Sequence, residues 1–545
     1  IEEEKNLNRF QKYRNRFFTA FNASFDRFTN KYIIGVKYLL KKKVVAFGGL
    51  ILVTIIGVGL LYFTPKSFIP TEDDSFVTYS LAMPPGASLA RTTEVLRRAD
   101  SILKKREDIE GMTTVSGFNA LDGGTSAAFA AGYINVKPHK ERSSIKDIND
   151  FMDTIRQDLS VIKEASFKVF PRPTVQGFGD FAGVQLVLQD RLGGDIRDFD
   201  VVADSFINKI NALEEVDNAY TSFKSNFPQY EADIDVVKAK SMGVDIKDMM
   251  NTIRMYFARV SAGDFNRFGR TYRVYMQSDF EHRTDPESLN SIFVRNKDGK
   301  MVPVGTLMTL NKVVGPESIS RYNLYNAITV NVNPSSGNST GDVMKAIEEL
   351  AGDQLPGNYG YEWTGMSYEE SKSGSQTVLI FGLSILFIYF LLAAQYESYI
   401  LPWAVLLSVP VGLIGVFLTV LAVGLENNIY VQVGLIMLIG LLAKNAILIV
   451  EFAVQQRDKG KSIYQSAIEG ARLRLRPILM TSLAFVAGLV PLMWSVGPSA
   501  IGNHSISFSA AGGMLAGVAL GIFIIPVLFV VFKTLDERVK FKMNK

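Results

Sequence analysis

The stretch GLIMLIGLLAKNAILIVEFA, residues 434–453, decides the fold class, because its 20 mainly apolar residues can cross a membrane as one helix. Lys444 lies in the middle of it, too far from either end to snorkel easily to the lipid headgroups. An ammonium there costs about 2.5 to 3.5 kcal/mol on insertion scales, so it normally marks an ion or proton pathway with a partner nearby. The other apolar stretches of the chain carry no Asp or Glu at comparable depth. The sequence therefore predicts a functional Lys444 without supplying its partner.

Six segments are apolar and long enough to span a membrane. They are residues 44–64, 376–395, 402–424, 430–453, 477–496 and 507–532. Lys and Arg are concentrated in residues 1–43, in the predicted loop 454–476 and in the tail 533–545. These three parts fall on one side of the membrane if all six segments span, so we expect them to be cytoplasmic and residues 65–375 to be extracytoplasmic.

The first 43 residues also carry a pattern of their own. Phenylalanines recur at helical spacing among basic and polar residues, at Phe17, Phe18, Phe21, Phe25 and Phe28. This pattern is typical of an amphipathic helix lying in the cytoplasmic interface, although a soluble helix packed on a partner would also fit. The chain starts at Ile1 without Met or a signal peptide, so we expect it to be part of a longer polypeptide.

Residues 65–375 alternate strand-like runs with amphipathic helices, which predicts an α+β fold. In residues 65–172 the order is strand, helix, strand, strand, helix, strand, as in a ferredoxin-like unit. A similar order occupies residues 173–239 and 323–375, interrupted by an insertion at 240–322. The insertion contains a predicted helix and a hairpin with Asp298-Gly299 at its turn. We therefore predict six transmembrane helices (residues 44–64 and five more within 376–532) plus two ferredoxin-like subdomains, the second carrying an inserted subdomain.

Composition and motifs exclude several classes of function. The chain has no cysteine, which excludes disulfides, thiolate metal sites and cysteine nucleophiles. Its net charge of +4 is too small to indicate nucleic-acid binding. His139, His282 and His504 lack metal-ligand spacing, and no Walker A loop is present. We therefore expect no catalytic residue, no metal and no cofactor. A transporter or a membrane-anchored scaffold remains, and the central lysine favours the transporter.

Polar and small residues near the lysine suggest how its helix packs. Asn445, Gly434 and Gly440 indicate close contact with neighbouring helices. Thr481 and Ser482 on the next span either extend a polar track from the lysine or serve only as packing contacts. The sequence leaves both possibilities open.

Several long motifs resemble those of one transporter superfamily. The runs GLLAKNAILIVEFA (440–453) and RLRLRPILMTS (472–482) are similar to the hydrophobe/amphiphile exporters of the resistance-nodulation-division (RND) superfamily. PKSFIPTED (65–73), WTGMSY (363–368) and AAQYES (393–398) continue the resemblance over the whole chain. In that family a full subunit has twelve spans, so the resemblance implies that this chain is the carboxy-terminal half. Residues 65–239 and 323–375 would then form two porter subdomains, and residues 240–322 a docking subdomain.

The resemblance also implies a function. Family members are homotrimers in the bacterial inner membrane, with periplasmic domains, and they export drugs and other amphiphiles, which causes antibiotic resistance. They work with a periplasmic adaptor protein and an outer-membrane channel, and a proton gradient drives them in place of a cofactor. Two alternatives stay open: a heavy-metal RND exporter, which would need a methionine pathway, and a non-exporting RND-superfamily protein of secretion or lipid handling. The insertion at 240–322 favours the pump over the non-exporting proteins, because those need no adaptor docking. The 17 methionines form no obvious pathway, and the Lys-Asn-Ala run at 444–446 argues against the heavy-metal exporter.

By motif, Lys444 resembles the transmembrane lysine of the family's proton relay, and Arg474 and Thr481 resemble its accessory members. The two aspartates of that relay belong to the fourth span, in the amino-terminal half. We therefore expect the counter-charges of Lys444 on a span that this chain lacks.

A substrate path is implied in the soluble part. Residues 117–124 resemble the switch loop between two drug pockets, which makes Phe118, Asn119, Ala120 and Leu121 candidate path residues. Ala120 stands where many members have a second Phe, which puts pocket selectivity in doubt. Three further residues resemble pocket-wall positions, although they could be ordinary strand residues facing a core: Tyr133, Val184 and Leu186.

Overall fold

The computed structural model describes residues 9–543 except Ser144, Gln176, Asp180 and Ser336. Residues 1–8 of the predicted basic segment and 544–545 of the predicted tail therefore lie outside the described residues. The helices are α1 (Arg9–Lys41), α2 (Lys43–Phe63), α3 (Leu89–Leu103), α4 (Ile148–Leu159), α5 (Ile196–Ile210), α6 (Val236–Ser241), α7 (Ile246–Phe257), α8 (Thr340–Gln354), α9 (Gly365–Tyr396), α10 (Pro402–Leu406), α11 (Pro410–Val423), α12 (Ile429–Asp458), α13 (Ile463–Met493) and α14 (Ala500–Met543).

The strands lie between α2 and α9 in sequence. They are β1 (Phe76–Ala82), β2 (Ile109–Phe118), β3 (Thr125–Val136), β4 (Ser166–Pro171), β5 (Val184–Asp190), β6 (Val216–Tyr220), β7 (Phe227–Ile234), β8 (Val260–Arg267), β9 (Arg270–Met276), β10 (Phe293–Arg295), β11 (Met301–Pro303), β12 (Met308–Gly315), β13 (Ser320–Tyr322), β14 (Tyr325–Pro334) and β15 (Tyr359–Trp363). The chain forms two compact units. The first unit comprises Ile1–Gly194, Val201–Ser222 and Ser320–Lys545, and the second comprises Asp195–Asp200 and Phe223–Ile319.

Among the described residues of the first unit, six helices are long and apolar enough to cross a membrane, which confirms the predicted mixture of a helical membrane part with an α/β part. They are α2, α9, the pair α10 and α11, α12, α13 and α14. The helix that carries the predicted span 477–496 begins before the apolar segment does. Helix α13 already begins at Ile463, where the Ser462 hydroxyl accepts a hydrogen bond from the Gln465 amide (3.3 Å), and Pro477 lies inside it. The predicted loop 454–476 therefore shrinks to residues 459–462.

Helix α1 occupies the region where the sequence predicts an amphipathic helix. It packs against α13 and α14, and the Tyr32 hydroxyl donates to the Ile522 carbonyl oxygen at 2.9 Å. Phe25 packs against the core of the bundle, whereas Phe18, Phe21 and Phe28 are about half exposed. The helix therefore has one packed face and one aromatic face left uncovered by the described residues; its place in the interface stays a prediction.

The first sheet of the soluble part has the order β2-β3-β1-β4 and is antiparallel throughout. With α3 and α4 it forms the succession strand, helix, strand, strand, helix, strand. Its core includes Val77, Tyr79 and Leu81 on β1, which are all fully buried. Gly132 on β3 faces the Tyr79 ring so closely that a Cβ at this position would overlap the ring. This close approach explains a glycine in mid-strand.

The second sheet has the order β13-β14-β5-β15, with β6 paired to β14. Every residue of the central strand β5 is buried, as expected for a strand covered on both faces. One strand within residues 173–239, which the sequence assigns to this subdomain, belongs elsewhere. As β7 it pairs with β12, from Phe227 opposite Gly315 to Ile234 opposite Met308. Both partners lie in the second compact unit, whose longer segment is Phe223–Ile319, whereas the predicted inserted subdomain is 240–322.

The second unit has its own small core, which includes Ala239, Val244, Met249 and Ile292. The predicted hairpin is present as β10 and β11. Gly299 has a φ of +81° at the turn, a left-handed conformation that glycine adopts without strain.

The segment after α2 connects the soluble part of the first unit to the membrane helices. The Asn427 amide donates to the Pro65 carbonyl oxygen at 2.8 Å, and the Ile429 amide donates to that of Phe68 at 3.0 Å. The buried Glu72 carboxylate accepts hydrogen bonds from the Ile501 and Gly502 amides, at 3.1 and 2.8 Å, in the first turn of α14. A carboxylate there satisfies amides that the helix leaves unpaired and complements its dipole. The starts of α12 and α14 are thereby tied to the base of the soluble part.

Candidate functional site

Lys444 lies on an exposed stripe of α12. Val433, Met437 and Gly440 lie on the same stripe, at helical spacing. Within the part of the chain that the structure describes, the Lys444 ammonium has neither a hydrogen bond nor an ion pair. Of the two predicted packing glycines, Gly434 contacts Ser509 on α14 closely, whereas Gly440 has open space in front of it. The prediction of close packing is therefore confirmed for Gly434. For Gly440, which shares the uncovered face with the lysine, it stays a prediction.

Thr481 lies at the level of Lys444 along the helix axes. Asn445 donates a hydrogen bond from Nδ2 to the Ser482 hydroxyl at 3.2 Å, and both side chains are buried. Lys444 directly precedes Asn445 in the sequence, and Thr481 directly precedes Ser482. Both Lys444 and Thr481 are exposed. The Thr481 hydroxyl itself donates to the Ile478 carbonyl oxygen at 3.2 Å. The structure thus brings Lys444 and Thr481 to one level of the α12–α13 pair and shows no bond between them.

Arg474 lies further along the same helix pair. Its guanidinium carbon is 3.6 Å from the centroid of the Phe452 ring, and its buried Nε has no hydrogen-bond partner among the described residues. Phe452 follows Lys444 by eight residues and Arg474 precedes Thr481 by seven, which is roughly 10 to 12 Å along a helix. The predicted accessory arginine is therefore about two turns from the lysine, on the side away from the soluble part.

The predicted switch loop, residues 117–124, connects β2 to β3 and is held by its own side chains. Asn119 accepts a hydrogen bond from the Leu121 amide (3.1 Å) and donates to the Asp122 carboxylate (2.6 Å). Asp122 also accepts from the Gly124 amide at 2.8 Å and from the Ser222 hydroxyl at 2.9 Å. Ser222 follows β6 of the second sheet, so Asp122 ties the loop to the second sheet.

The loop covers a group of side chains that we call the aromatic cluster. Its buried members are Ala120, Leu121, Ala131, Phe170, Phe181 and Tyr220, with Phe118 and Tyr133 partly buried against them. The rings of Phe170 and Phe181 are 5.8 Å apart, and those of Phe181 and Tyr220 are 6.2 Å apart, both edge to face. Edge-to-face pairs at this separation are favourable. The structure therefore brings the predicted Phe118, Ala120, Leu121 and Tyr133 together, beside the buried Asn119.

Val184 and Leu186 are not part of the aromatic cluster. Both are fully buried in β5, opposite Val332 and Val330 of β14. This position is that of ordinary core residues of the second sheet. Their role as pocket walls stays a prediction.

Besides Ala131 on β3, the sequence analysis missed Phe170, Phe181, Tyr220 and Lys168 at this site. The Lys168 ammonium lies 4.5 Å from the centroid of the Tyr220 ring, within cation–π range. Burial, and next the charge of Arg156, lower the pKa of Lys168, and burial raises the pKa of Tyr220. The residues come from β4, from the loop before β5 and from β6, so no local pattern marks them as one site.

A metal centre finds no support in the described residues, where no three His, Asp or Glu side chains could hold an ion. The site therefore consists of two parts in the first unit: a lysine-bearing helix pair in the membrane part and an aromatic cluster under a loop in the soluble part.

Comparison with known proteins gives a consistent assignment. The family model described as the AcrB/AcrD/AcrF family matches residues 3–533. The antibiotic efflux pump membrane transporter ArpB of Pseudomonas putida is 37% identical over 521 residues, which is 95% of this chain and 49% of the relative. The toluene efflux pump membrane transporter TtgB, also of Pseudomonas putida, has the same identity and coverage. The multidrug resistance protein MdtF of Escherichia coli is 34% identical over 538 residues, 96% of this chain and 51% of the relative. The chain thus spans about half the length of the curated relatives it matches.

Proposed function

Because the chain belongs to the AcrB/AcrD/AcrF family, we propose that it forms one half of a proton-driven exporter of drugs and other amphiphiles. The observation that carries this proposal is Lys444: a charged side chain in mid-span, on an uncovered helix face, with no partner among the described residues. In the complete transporter, a helix of the amino-terminal half would pack on this face and cover it. The relatives' names, which refer to antibiotic, toluene and multidrug efflux, support the substrate class.

Protonation of carboxylates that the other half places beside Lys444 would drive the transport cycle. While those carboxylates are charged, Coulomb attraction holds the ammonium despite the desolvation that a covering helix imposes. When a carboxylate takes up a proton, the attraction weakens and the side chain and its helix can shift. Thr481, at the level of Lys444, and Arg474, about two turns away, would extend this polar path along α13.

The shift would reach the soluble part through the start of α12. The amides of Asn427 and Ile429 are bonded to the segment after α2, and Glu72 of the same segment caps α14. A movement of α12 therefore pulls on the base of the two sheets. Two packings of the bundle, coupled in this way, would make an alternating pump.

In this proposal the two sheets form the porter region, and the aromatic cluster between them lies on the substrate path. Its members are aromatic and aliphatic, and no methionine is among those that the structure describes. That lining suits amphiphiles, whereas soft metal cations would need thioether ligands. The second compact unit would dock a periplasmic adaptor, and the assembly would be a homotrimer in the bacterial inner membrane that feeds an outer-membrane channel.

Export by the complete transporter tests the proposal. The transporter that contains this chain is expressed with its adaptor and channel in a bacterium lacking its own exporters, and accumulation of an uncharged fluorescent amphiphile is measured. We expect several-fold lower accumulation than in cells with adaptor and channel alone, and a return to the control level when the proton gradient is collapsed. Equal accumulation in both cells, or export that survives collapse of the gradient, would refute it.

A further inference from the structure

Tyr220 places an unused hydrogen-bond donor inside the aromatic cluster. Its side chain is 8% exposed, and its hydroxyl is buried without a hydrogen-bond partner in the described residues. Buried polar groups are nearly always hydrogen-bonded, because leaving one unpaired costs its full desolvation energy. The Tyr220 hydroxyl is therefore available to donate a hydrogen bond to a bound molecule.

Lys168 adds a second donor next to the first. Its ammonium lies over the Tyr220 ring at 4.5 Å and forms no ion pair in the described part of the chain. Burial and the charge of Arg156 lower the pKa of Lys168, so its surroundings favour the arrival of negative charge. Asp217 acts in the opposite direction on this pKa, with a smaller effect than either of them.

Arg156 does not supply the missing acceptor, because it carries no acceptor atom and its own bonds are already formed. It donates to the Val169 carbonyl oxygen at 3.0 Å and pairs with Asp153. Tyr220 and Lys168 therefore present two donors and one positive charge. Neither has an acceptor within bonding distance among the described residues.

The apolar side of this arrangement is the rest of the cluster. The Phe181 ring packs edge to face on Tyr220, Phe170 packs on Phe181, and Phe118 lies against them from the loop. A hydrogen bond from the Ser222 hydroxyl to the Asp122 carboxylate holds the loop in place, and Ser222 lies two residues after Tyr220. A molecule that displaced this loop would find an aromatic surface with a cationic donor pair at one edge.

We propose that Tyr220 and Lys168 bind the anionic head group of an amphiphile, such as a carboxylate or sulfonate, while its apolar body packs on the aromatic cluster. A cationic head group would be repelled by Lys168, and an uncharged one would leave the ammonium uncompensated. The inference rests on the proposed function and deepens it, since it assigns a preferred charge to the substrate of this site.

The inference is tested with two steroid probes that share the same ring skeleton. One carries a carboxylate, and the other carries a primary carboxamide in its place. Equilibrium binding of both to the purified complete transporter is measured, together with their export from cells. Tyr220→Phe removes only a hydroxyl that is unbonded in this structure, so the thermal stability should not fall. We expect the Kd of the carboxylate to rise about tenfold in Tyr220→Phe and at least as much in Lys168→Met. Binding of the carboxamide should change less than about twofold.

Lys105→Met, at an exposed lysine beyond the end of α3, is the matched control and should bind both probes like the wild type. Wild-type carboxylate affinity in both Tyr220→Phe and Lys168→Met overturns the inference, as does an equal loss for both probes. If the wild type exports the carboxamide but does not bind the carboxylate, the inference fails and the proposed function stands. If the wild type exports neither probe nor any other amphiphile, the proposed function fails as well.

Discussion

Lys444→Ala in the complete transporter is expected to reduce export to the level of cells without the pump, while the trimer still assembles. The side chain has no bond to other described residues, so its removal should not disturb the packing of this chain. Its expected contribution is the positive charge that alternately holds and releases carboxylates of the other half. Export is measured as substrate accumulation, and assembly by size-exclusion chromatography of the purified transporter.

Lys459→Ala is the matched control, because this exposed lysine directly follows the end of the same helix. Its loss should leave export near the wild-type level. Full export by Lys444→Ala would remove the lysine from the mechanism, even though the family membership would stand.

Arg142→Ala is expected to destabilise the first sheet of the soluble part by about 3 to 5 kcal/mol, the usual cost of breaking a buried ion pair. The Arg142 side chain is fully buried and binds Asp73 through both terminal nitrogens, at 2.6 and 2.7 Å. It also donates to the Lys137 and Lys146 carbonyl oxygens, both at 2.8 Å. Alanine leaves the Asp73 carboxylate and these carbonyl groups without their donor. Hydrogen exchange of the β1 amides in the full-length transporter measures the loss.

The exposed pair Arg197 and Asp195 provides the comparison, with 64% and 44% of the side chains exposed. Arg197→Ala should destabilise the protein far less than Arg142→Ala, because exposed ion pairs are solvated and screened. Similar protection of the β1 amides in Arg142→Ala and the wild type would show that the buried pair does not hold this region together.

The membrane part could be predicted well from the sequence, because length and apolarity determine whether a helix can span. The family resemblance that the motifs around Lys444 suggest is likewise confirmed. The boundaries at prolines could not be predicted: Pro477 suggests a helix start but lies inside α13. Proline removes only one backbone donor, and neighbouring helices and local adjustments can compensate in a packed bundle.

Only part of the aromatic cluster and its loop could be predicted from the sequence. The loop 117–124 can be recognised from its motif, whereas Phe181 and Tyr220 come from distant segments that meet only after the two sheets have formed. The pairing of β7 with β12 joins residues about 80 positions apart, and strand patterns contain no information on such partners. Lys168 likewise lies in an ordinary strand pattern, and only its position over Tyr220 distinguishes it from a surface lysine.

An experimental structure of the complete transporter in lipid tests the central claim most directly. The account predicts two carboxylates, on a span from the other half, within about 4 Å of the Lys444 ammonium in at least one conformation. A Lys444 side chain that faces lipid, or that meets only backbone carbonyl groups, would contradict the proton-relay role.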